Sequence, residues 1–161
     1  EAVVTRVSAG DTLWLRIEDP TQPRRKPFKL RLQGIDAPER CQPWGDEATR
    51  ALRLRVLGRR VQVVLGAWDD YRRRLGNLWL DGEDVSSWLV GQGHAWSYRR
   101  HGSDGPYAEQ ERAARMAQRG LFSQRDPMLP QVFRRWHGAC DAPYSGQASP
   151  SVQVRGAPGS K

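Results

Sequence analysis

Short stretches in which apolar and polar residues alternate, with turns between them, constrain the fold of this 161-residue chain more than any other feature. A period of two is the pattern of a half-buried β-strand. It predicts five strands, over residues 3–8, 12–17, 28–35, 59–65 and 75–80. In the third strand, Leu30 and Leu32 share one face, which leaves the long cationic side chain of Arg31 on the other.

Helical spacing of apolar residues is found between and after these strands. It predicts three helices, over residues 46–57, 85–90 and 106–118. Asp46 and Asp84 are suited to cap the first two helices. Short strands interleaved with helices are typical of a small β-barrel, and the OB-fold is one such barrel that often binds nucleic acids. We therefore predict an α+β fold, mainly β, with a five-stranded OB-fold barrel capped by three helices.

The length of the chain suits one domain, which we place at residues 1–141. Residues 142–161 are small and polar and predict a flexible tail. Nowhere do about 18 apolar residues follow one another, so no transmembrane helix is expected. The numbered sequence shows no signal-peptide pattern. We expect a monomer.

The net charge of +8 indicates a polyanionic partner. Nucleic acid is the first candidate and an anionic membrane the second. The sequence has no strongly amphipathic basic helix with bulky apolar residues, so membrane binding is disfavoured.

The two cysteines, Cys41 and Cys140, lie too far apart for a CxxC redox or zinc motif. They are either unrelated thiols or one long-range disulfide. We favour the disulfide, which would hold the C-terminal segment beside the loop that follows Glu39. A disulfide suits an oxidising compartment, so we expect a secreted or periplasmic protein.

Three short segments concentrate charged residues beside the predicted strands: residues 10–12 (GDT), 31–39 (RLQGIDAPE) and 69–75 (DDYRRRL). Each alone has an ordinary structural explanation, namely a turn, a turn with Asp36 as a cap, and a solvated basic face. Together they supply what phosphodiester hydrolysis needs. Arginines neutralise the transition state, a carboxylate activates water, and other carboxylates hold a metal ion.

The sequence at this point resembles the staphylococcal (micrococcal) nuclease family, or thermonucleases. The similarity runs in order from about residue 3 to residue 123, and the ordered set is far more specific than any single motif. The matching stretches are VTRVSAGDT, LRLQGIDAPE, WGDEATRAL, DDYRRRLGNLWLDGEDV, LVGQGHAWSY and PYAEQERAARMAQRGLF.

The resemblance implies a calcium-dependent endonuclease that cleaves DNA and RNA and leaves 3′-phosphate ends. On matching positions, the Ca²⁺ ligands would be the carboxylates of Asp11 and Asp36 and the backbone carbonyl of Ala37. Hard cations such as calcium prefer oxygen ligands of this kind.

The same matching assigns the remaining roles at the site. Glu39 would act as the general base on the attacking water. Arg31 and Arg73 would bind the phosphate and stabilise the pentacoordinate state. Tyr71 and Tyr98 stand where the family has tyrosines that contact the nucleotide.

Three positions depart from the family pattern. Ala37 replaces a threonine, which matters little if only its carbonyl is a ligand. Asp70 replaces a lysine, which removes a phosphate contact. Arg72 replaces a glycine, so Arg72, Arg73 and Arg74 are rivals for the catalytic register, and alignment of the following strand favours Arg73.

A non-catalytic nucleic-acid-binding module of the same fold is the alternative. Such modules lose carboxylates or arginines from the site, whereas this chain has the whole set. The seven tryptophans suit stacking on bases or packing in the core, and we expect packing, since Trp88 and Trp96 flank apolar segments.

Overall fold

The computed structural model of the chain describes residues 1–99 and 102–140. The predicted tail over residues 142–161 lies outside the described residues. Within the described ranges, the chain forms eight strands, four helices and one 3-10 helix. In chain order they are β1 (Ala2–Ala9), β2 (Thr12–Ile17), β3 (Phe28–Leu32), β4 (Ile35–Asp36), α1 (Gly45–Val56), β5 (Arg60–Trp68), β6 (Arg74–Leu80), β7 (Glu83–Asp84), α2 (Val85–Gly91), β8 (Trp96–Ser97), α3 (Ala108–Met116), the 3-10 helix Gly120–Ser123 and α4 (Pro130–His137).

Five of the strands close into a ring. The main sheet has the order β3-β2-β1-β5-β6-β7, and β3 also pairs with β6. The β3–β6 pairing is parallel, while the others in this sheet are antiparallel. The predicted five-stranded barrel is confirmed, and so are the three predicted helices. The fourth helix, α4, was not predicted.

The interior of the ring is filled by branched aliphatic side chains. Leu13, Leu15, Leu30, Leu32 and Leu78 have no exposed surface. Full burial of such a side chain stabilises the folded state by about 1.5–3 kcal/mol. The same core includes buried side chains of α1, so this helix packs directly against the barrel.

Strand β3 ends earlier than predicted. Alternation suggested one strand over residues 28–35, but the chain turns at Gly34, whose φ is 84°. After this turn β4 pairs with β8, where Asp36 lies opposite Trp96. The turn moves Asp36 out of the barrel sheet, and this places its side chain at the barrel's rim.

The expected cap of α1 by Asp46 is wrong, whereas that of α2 by Asp84 is confirmed. Helix α1 begins at Gly45, and Trp44 before it has a left-handed φ of 73° without a capping side-chain bond. A Cβ on Gly45 would lie 2.1 Å from the carbonyl oxygen of Glu39, so close packing sets this start. The Asp84 carboxylate accepts a hydrogen bond from the Ser86 N–H, 3.1 Å away.

The tryptophans divide between packing and exposure. Trp96 is buried in a second apolar cluster with Leu121 and Phe122, and Trp88 packs against the main core. Trp68 and Trp136 are 62% and 61% exposed, so the packing interpretation is wrong for these two. None of the helices described is both long and apolar enough to cross a membrane.

A buried carboxylate joins α3 to the segment after β8. Glu111 is 5% exposed and forms ion pairs with Arg99 and Arg115. It also accepts a hydrogen bond from the Ser97 N–H, 2.9 Å away. Burial raises the pKa of Glu111, but these hydrogen bonds outweigh burial and leave the pKa below its usual value.

Substitution of Glu111 by glutamine is expected to destabilise the fold by roughly 2–4 kcal/mol at neutral pH, because two arginines lose their buried partner. Since the folded pKa is the lower one, this stabilisation is present above pH 4.5 and is lost as the pH falls through the folded value. Urea unfolding of the wild type and of Glu111→Gln at pH 7 and pH 3 measures this stabilisation. An equal difference in the free energy of unfolding at both pH values would contradict the stabilising role of the ionised Glu111.

Candidate active site

Strand pairing brings the three charged segments to one end of the barrel. Thr12 lies opposite Arg31 in the β2–β3 pair, and Arg31 lies opposite Leu75 in the β3–β6 pair. The carbonyl of Asp11 also accepts a hydrogen bond from the Leu32 N–H at 2.8 Å. The ring closure therefore gathers residues that are far apart in sequence.

Arg31 lies between two nearly buried carboxylates. Its Nη2 is 3.5 Å from Asp11 Oδ2 and 3.5 Å from Asp36 Oδ1. Its Nη1 donates to the carbonyls of Leu32, at 2.7 Å, and Ile35, at 2.9 Å. Leu32 ends β3 and Ile35 begins β4, so the two residues that flank the turn fix the guanidinium.

Burial lowers the pKa of Arg31, but Asp11 and Asp36 together raise it above its usual value. Arg31 is therefore a permanent cation at the centre of the cluster. A guanidinium in this position can bind a phosphate oxygen with its charge intact.

The surroundings of Asp36 disfavour the ionised form of its carboxyl group. It is 5% exposed, and burial raises its pKa to about 7, with the nearby Asp11 adding to the rise. Arg31 and Arg134 oppose it without cancelling it. A buried carboxylate with a raised pKa beside a second carboxylate marks a place where a bound cation would be stabilised.

The loop after β4 is tied to the turn before β2. The Ala37 N–H donates to Asp11 Oδ2 at 2.9 Å. A Cβ on Gly10 would lie 2.8 Å from the Ala37 Cβ, so only glycine permits this approach. Asp11 and Asp36 are thereby both held 3.5 Å from Nη2 of Arg31.

These donors fit a hard divalent cation. Within residues 1–99 and 102–140, no group of three or more His, Cys, Asp or Glu side chains is placed to hold a metal. Two carboxylates would therefore need backbone oxygens and water to complete the shell. Calcium accepts such a mixed set of six to eight oxygen ligands.

Glu39 has a partner that the sequence did not reveal. Its Oε2 lies 2.6 Å from Nη1 of Arg134 on α4. Arg134 also acts on Asp36, whose pKa it lowers. One signal could have pointed to it: the expected Cys41–Cys140 disulfide places the residues before Cys140 beside the Glu39 loop.

That disulfide is present. Cys41 and Cys140 are bonded, with 5.8 Å between their Cα atoms. The prediction of one long-range disulfide is therefore confirmed. It holds the C-terminal segment that ends at Cys140 beside the loop that follows Glu39, as the sequence suggested.

Arg73, the other arginine assigned to the site, lies in the loop between β5 and β6, directly before β6. Its Nε lies 2.7 Å from Asp69 Oδ2, and its guanidinium stacks over the Tyr71 ring at 5.3 Å. Asp69 also accepts from the N–H groups of Tyr71 and Arg73, both at 2.8 Å. Burial raises the pKa of Asp69, but these bonds outweigh it and lower the pKa. The carboxylate thus stays ionised and orders the turn.

Arg72 stands where the family has glycine, and its backbone is in a conformation that favours glycine. Its φ is 63°, in the left-handed region that costs a non-glycine residue about 1–2 kcal/mol. The side chain of Arg74, the third arginine of the run, donates a hydrogen bond to the carbonyl of Gly66 at 2.7 Å and stacks over the ring of Trp68.

The side chains of the two assigned tyrosines are exposed to solvent. Tyr71 is 79% exposed. Tyr98 is 38% exposed, and it is close enough to Arg31 to raise its pKa. Both rings are available to a bound ligand, which is what their assigned role requires.

The chain is similar over most of its length to proteins described as nucleases or endonucleases. A family model described as staphylococcal nuclease homologue matches residues 29–124. An uncharacterized endonuclease of Escherichia coli O157:H7 is 35% identical over 132 residues, which cover 81% of this chain and 82% of that protein. An uncharacterized endonuclease of Haemophilus influenzae is 30% identical over 82% of this chain and 71% of that protein. The probable staphylococcal-like nuclease CAN1 of Oryza sativa subsp. japonica is 34% identical over 68% of this chain and 33% of that protein.

Proposed function

The chain belongs to the staphylococcal nuclease homologue family, and from that premise we propose that it is a calcium-dependent endonuclease acting on DNA and RNA. The observation that carries the proposal is the position of Arg31 between Asp11 and Asp36. A buried arginine shared by two carboxylates suits joint binding of a metal ion and a phosphate.

The substrate backbone would enter from the side of the exposed tyrosines. Arg31 and Arg73 each offer a guanidinium to the non-bridging phosphate oxygens, and Tyr71 and Tyr98 offer ring faces to the nucleotide. The net charge of +8 attracts the polyanion and speeds the encounter.

Asp11 and Asp36 would hold the calcium ion together with the carbonyl of Ala37. A calcium ion bound there would polarise the phosphoryl group and stabilise its developing charge. Loading of the site would also relieve the repulsion between Asp11 and Asp36, which now contributes to the high pKa of Asp36.

Glu39 would accept a proton from the attacking water. The in-line attack would break the bond between phosphorus and the 5′ oxygen. One product would then end in a 3′-phosphate, and the other, once its 5′ oxygen takes a proton from solvent, in a 5′-hydroxyl. Arg31 and Arg73 would stabilise the charge that develops on the pentacoordinate phosphorus. Preorganised donors of this kind are each worth on the order of 10²–10³ in rate.

The disulfide favours an oxidising compartment, so we place the protein outside the cytosol, secreted or in the periplasm. We propose that it acts as a monomer. The site draws all its residues from one chain, so no second subunit is needed to complete it.

Cleavage of plasmid and single-stranded DNA with calcium, and then with excess EGTA, tests the proposal. We expect DNA fragments with calcium and no cleavage with the chelator. The fragments should carry 3′-phosphates, so a polymerase should extend them only after a 3′-phosphatase has removed the phosphate. Folded protein that binds the DNA but never cuts it would support the alternative of a non-catalytic binding module.

A further inference from the structure

We propose that Arg134 is a positioning residue for Glu39, and that α4 with the Cys41–Cys140 disulfide forms an added part of the active site. The inference rests on the proposed nuclease function. Arg134 lies beyond the matched family region, which ends at residue 124.

The contact itself is direct. Arg134 Nη1 is 2.6 Å from Glu39 Oε2, a short, charge-assisted distance. Among the described residues, Arg134 is the one that forms an ion pair with Glu39. Because the guanidinium holds one carboxylate oxygen, the other oxygen is left to accept a hydrogen bond from the attacking water.

Helix α4 is attached at both ends to the loop that carries Glu39. Before the helix, the carbonyl of Met128 accepts a hydrogen bond from the Gln42 side chain. After it, Cys140 is bonded to Cys41. Phe133, 5% exposed, anchors the middle of the helix. Arg134 is thus fixed with respect to the loop that carries Glu39.

Stability alone does not account for this ion pair. The side chains of Arg134 and Glu39 are 43% and 23% exposed. Ion pairs between side chains exposed to this extent contribute little to the stability of the fold. Placement of a general base is far more sensitive, since a shift of about 1 Å can cost 10²-fold in rate. The arrangement therefore matters for the geometry of Glu39 more than for the free energy of unfolding.

The test compares Arg134→Ala and Arg134→Lys with Arg135→Ala, which removes the same charge from the next, exposed position on α4. For Arg134→Ala we expect kcat to fall about 10–100-fold while KM changes less than about twofold. The lysine variant should recover part of kcat, because it keeps the charge. Arg135→Ala should keep the kcat of the wild type.

A second series tests the part assigned to the disulfide. The double variant Cys41→Ser/Cys140→Ser should lose kcat as Arg134→Ala does. Adding Arg134→Ala to that background should lower kcat little further, since both changes release Glu39. Independent, multiplying losses would contradict the idea that the disulfide acts through Arg134.

The outcomes separate this inference from the proposed function. An inactive wild type overturns the proposed function. An active wild type with Arg134→Ala within twofold of its kcat overturns only the positioning role. A rise in KM at constant kcat would show a phosphate contact instead, and a rise in kcat would show that Arg134 restrains Glu39; both overturn the inference.

Discussion

Replacement of Glu39 by glutamine is expected to lower turnover by roughly 10²–10⁴-fold while the fold and calcium-dependent DNA binding persist. Glutamine keeps the size of the side chain and can still accept a hydrogen bond from Arg134. It has no basic oxygen with which to take a proton from water. The loss should therefore appear in kcat, with KM nearly unchanged.

Three measurements check this expectation. Initial rates on single-stranded DNA give kcat and KM, thermal unfolding reports the fold, and DNA binding with calcium reports the rest of the site. Glu47→Gln is the matched control, because Glu47 is an exposed carboxylate on α1 and should be neutral. Undiminished cleavage by Glu39→Gln would rule out Glu39 as the general base.

Removal of the Arg73 guanidinium should cost about 10³-fold in kcat/KM, at the upper end for one donor to the transition state. Its side chain is ordered by Asp69 but remains one-third exposed, so Arg73→Ala should leave the fold intact. Arg73→Lys should recover only part of the activity, since an ammonium group cannot bind two phosphate oxygens in a fork.

Variants of the neighbouring arginines decide the catalytic register. Arg72→Gly keeps the left-handed backbone, and Arg74→Ala removes a side chain engaged with Gly66 and Trp68. Both should retain activity within about tenfold. If Arg72→Gly lost as much activity as Arg73→Ala, the assignment to Arg73 would be wrong.

Local pattern was sufficient for much of the barrel. The strand predicted over residues 12–17 forms with those bounds, because period-two alternation there coincides with one buried face. The helix after Asp84 was also predictable, since its cap is a local hydrogen bond. The prediction over residues 28–35 ran too far, because alternation does not show that Gly34 turns the chain.

The candidate site was predictable as a set of residues but not as a set of contacts. Resemblance to a family supplied the carboxylates and arginines, and the structure gathers Asp11, Arg31 and Asp36. Glu39 and Arg73 carry separate ion pairs with Arg134 and Asp69. The roles of all these residues remain predictions, as do those of Ala37, Tyr71 and Tyr98.

Helix α4 escaped prediction because its sequence signal is weak. It has eight residues, and its buried members are Pro130 and Phe133. Its place depends on contacts with a loop about 90 positions earlier, which no local window contains. Arg134 was missed for the same reason.

The parallel pairing of β3 with β6 links assembly of the site to completion of the fold. It joins residues 44 positions apart, such as Leu30 and Arg74, and such long-range pairings form late because a large loop must close first. Until the ring closes, Arg31 and Arg73 belong to separate segments of an open chain. A nascent or partly unfolded chain therefore lacks the assembled site, and cleavage becomes possible only once the barrel has closed.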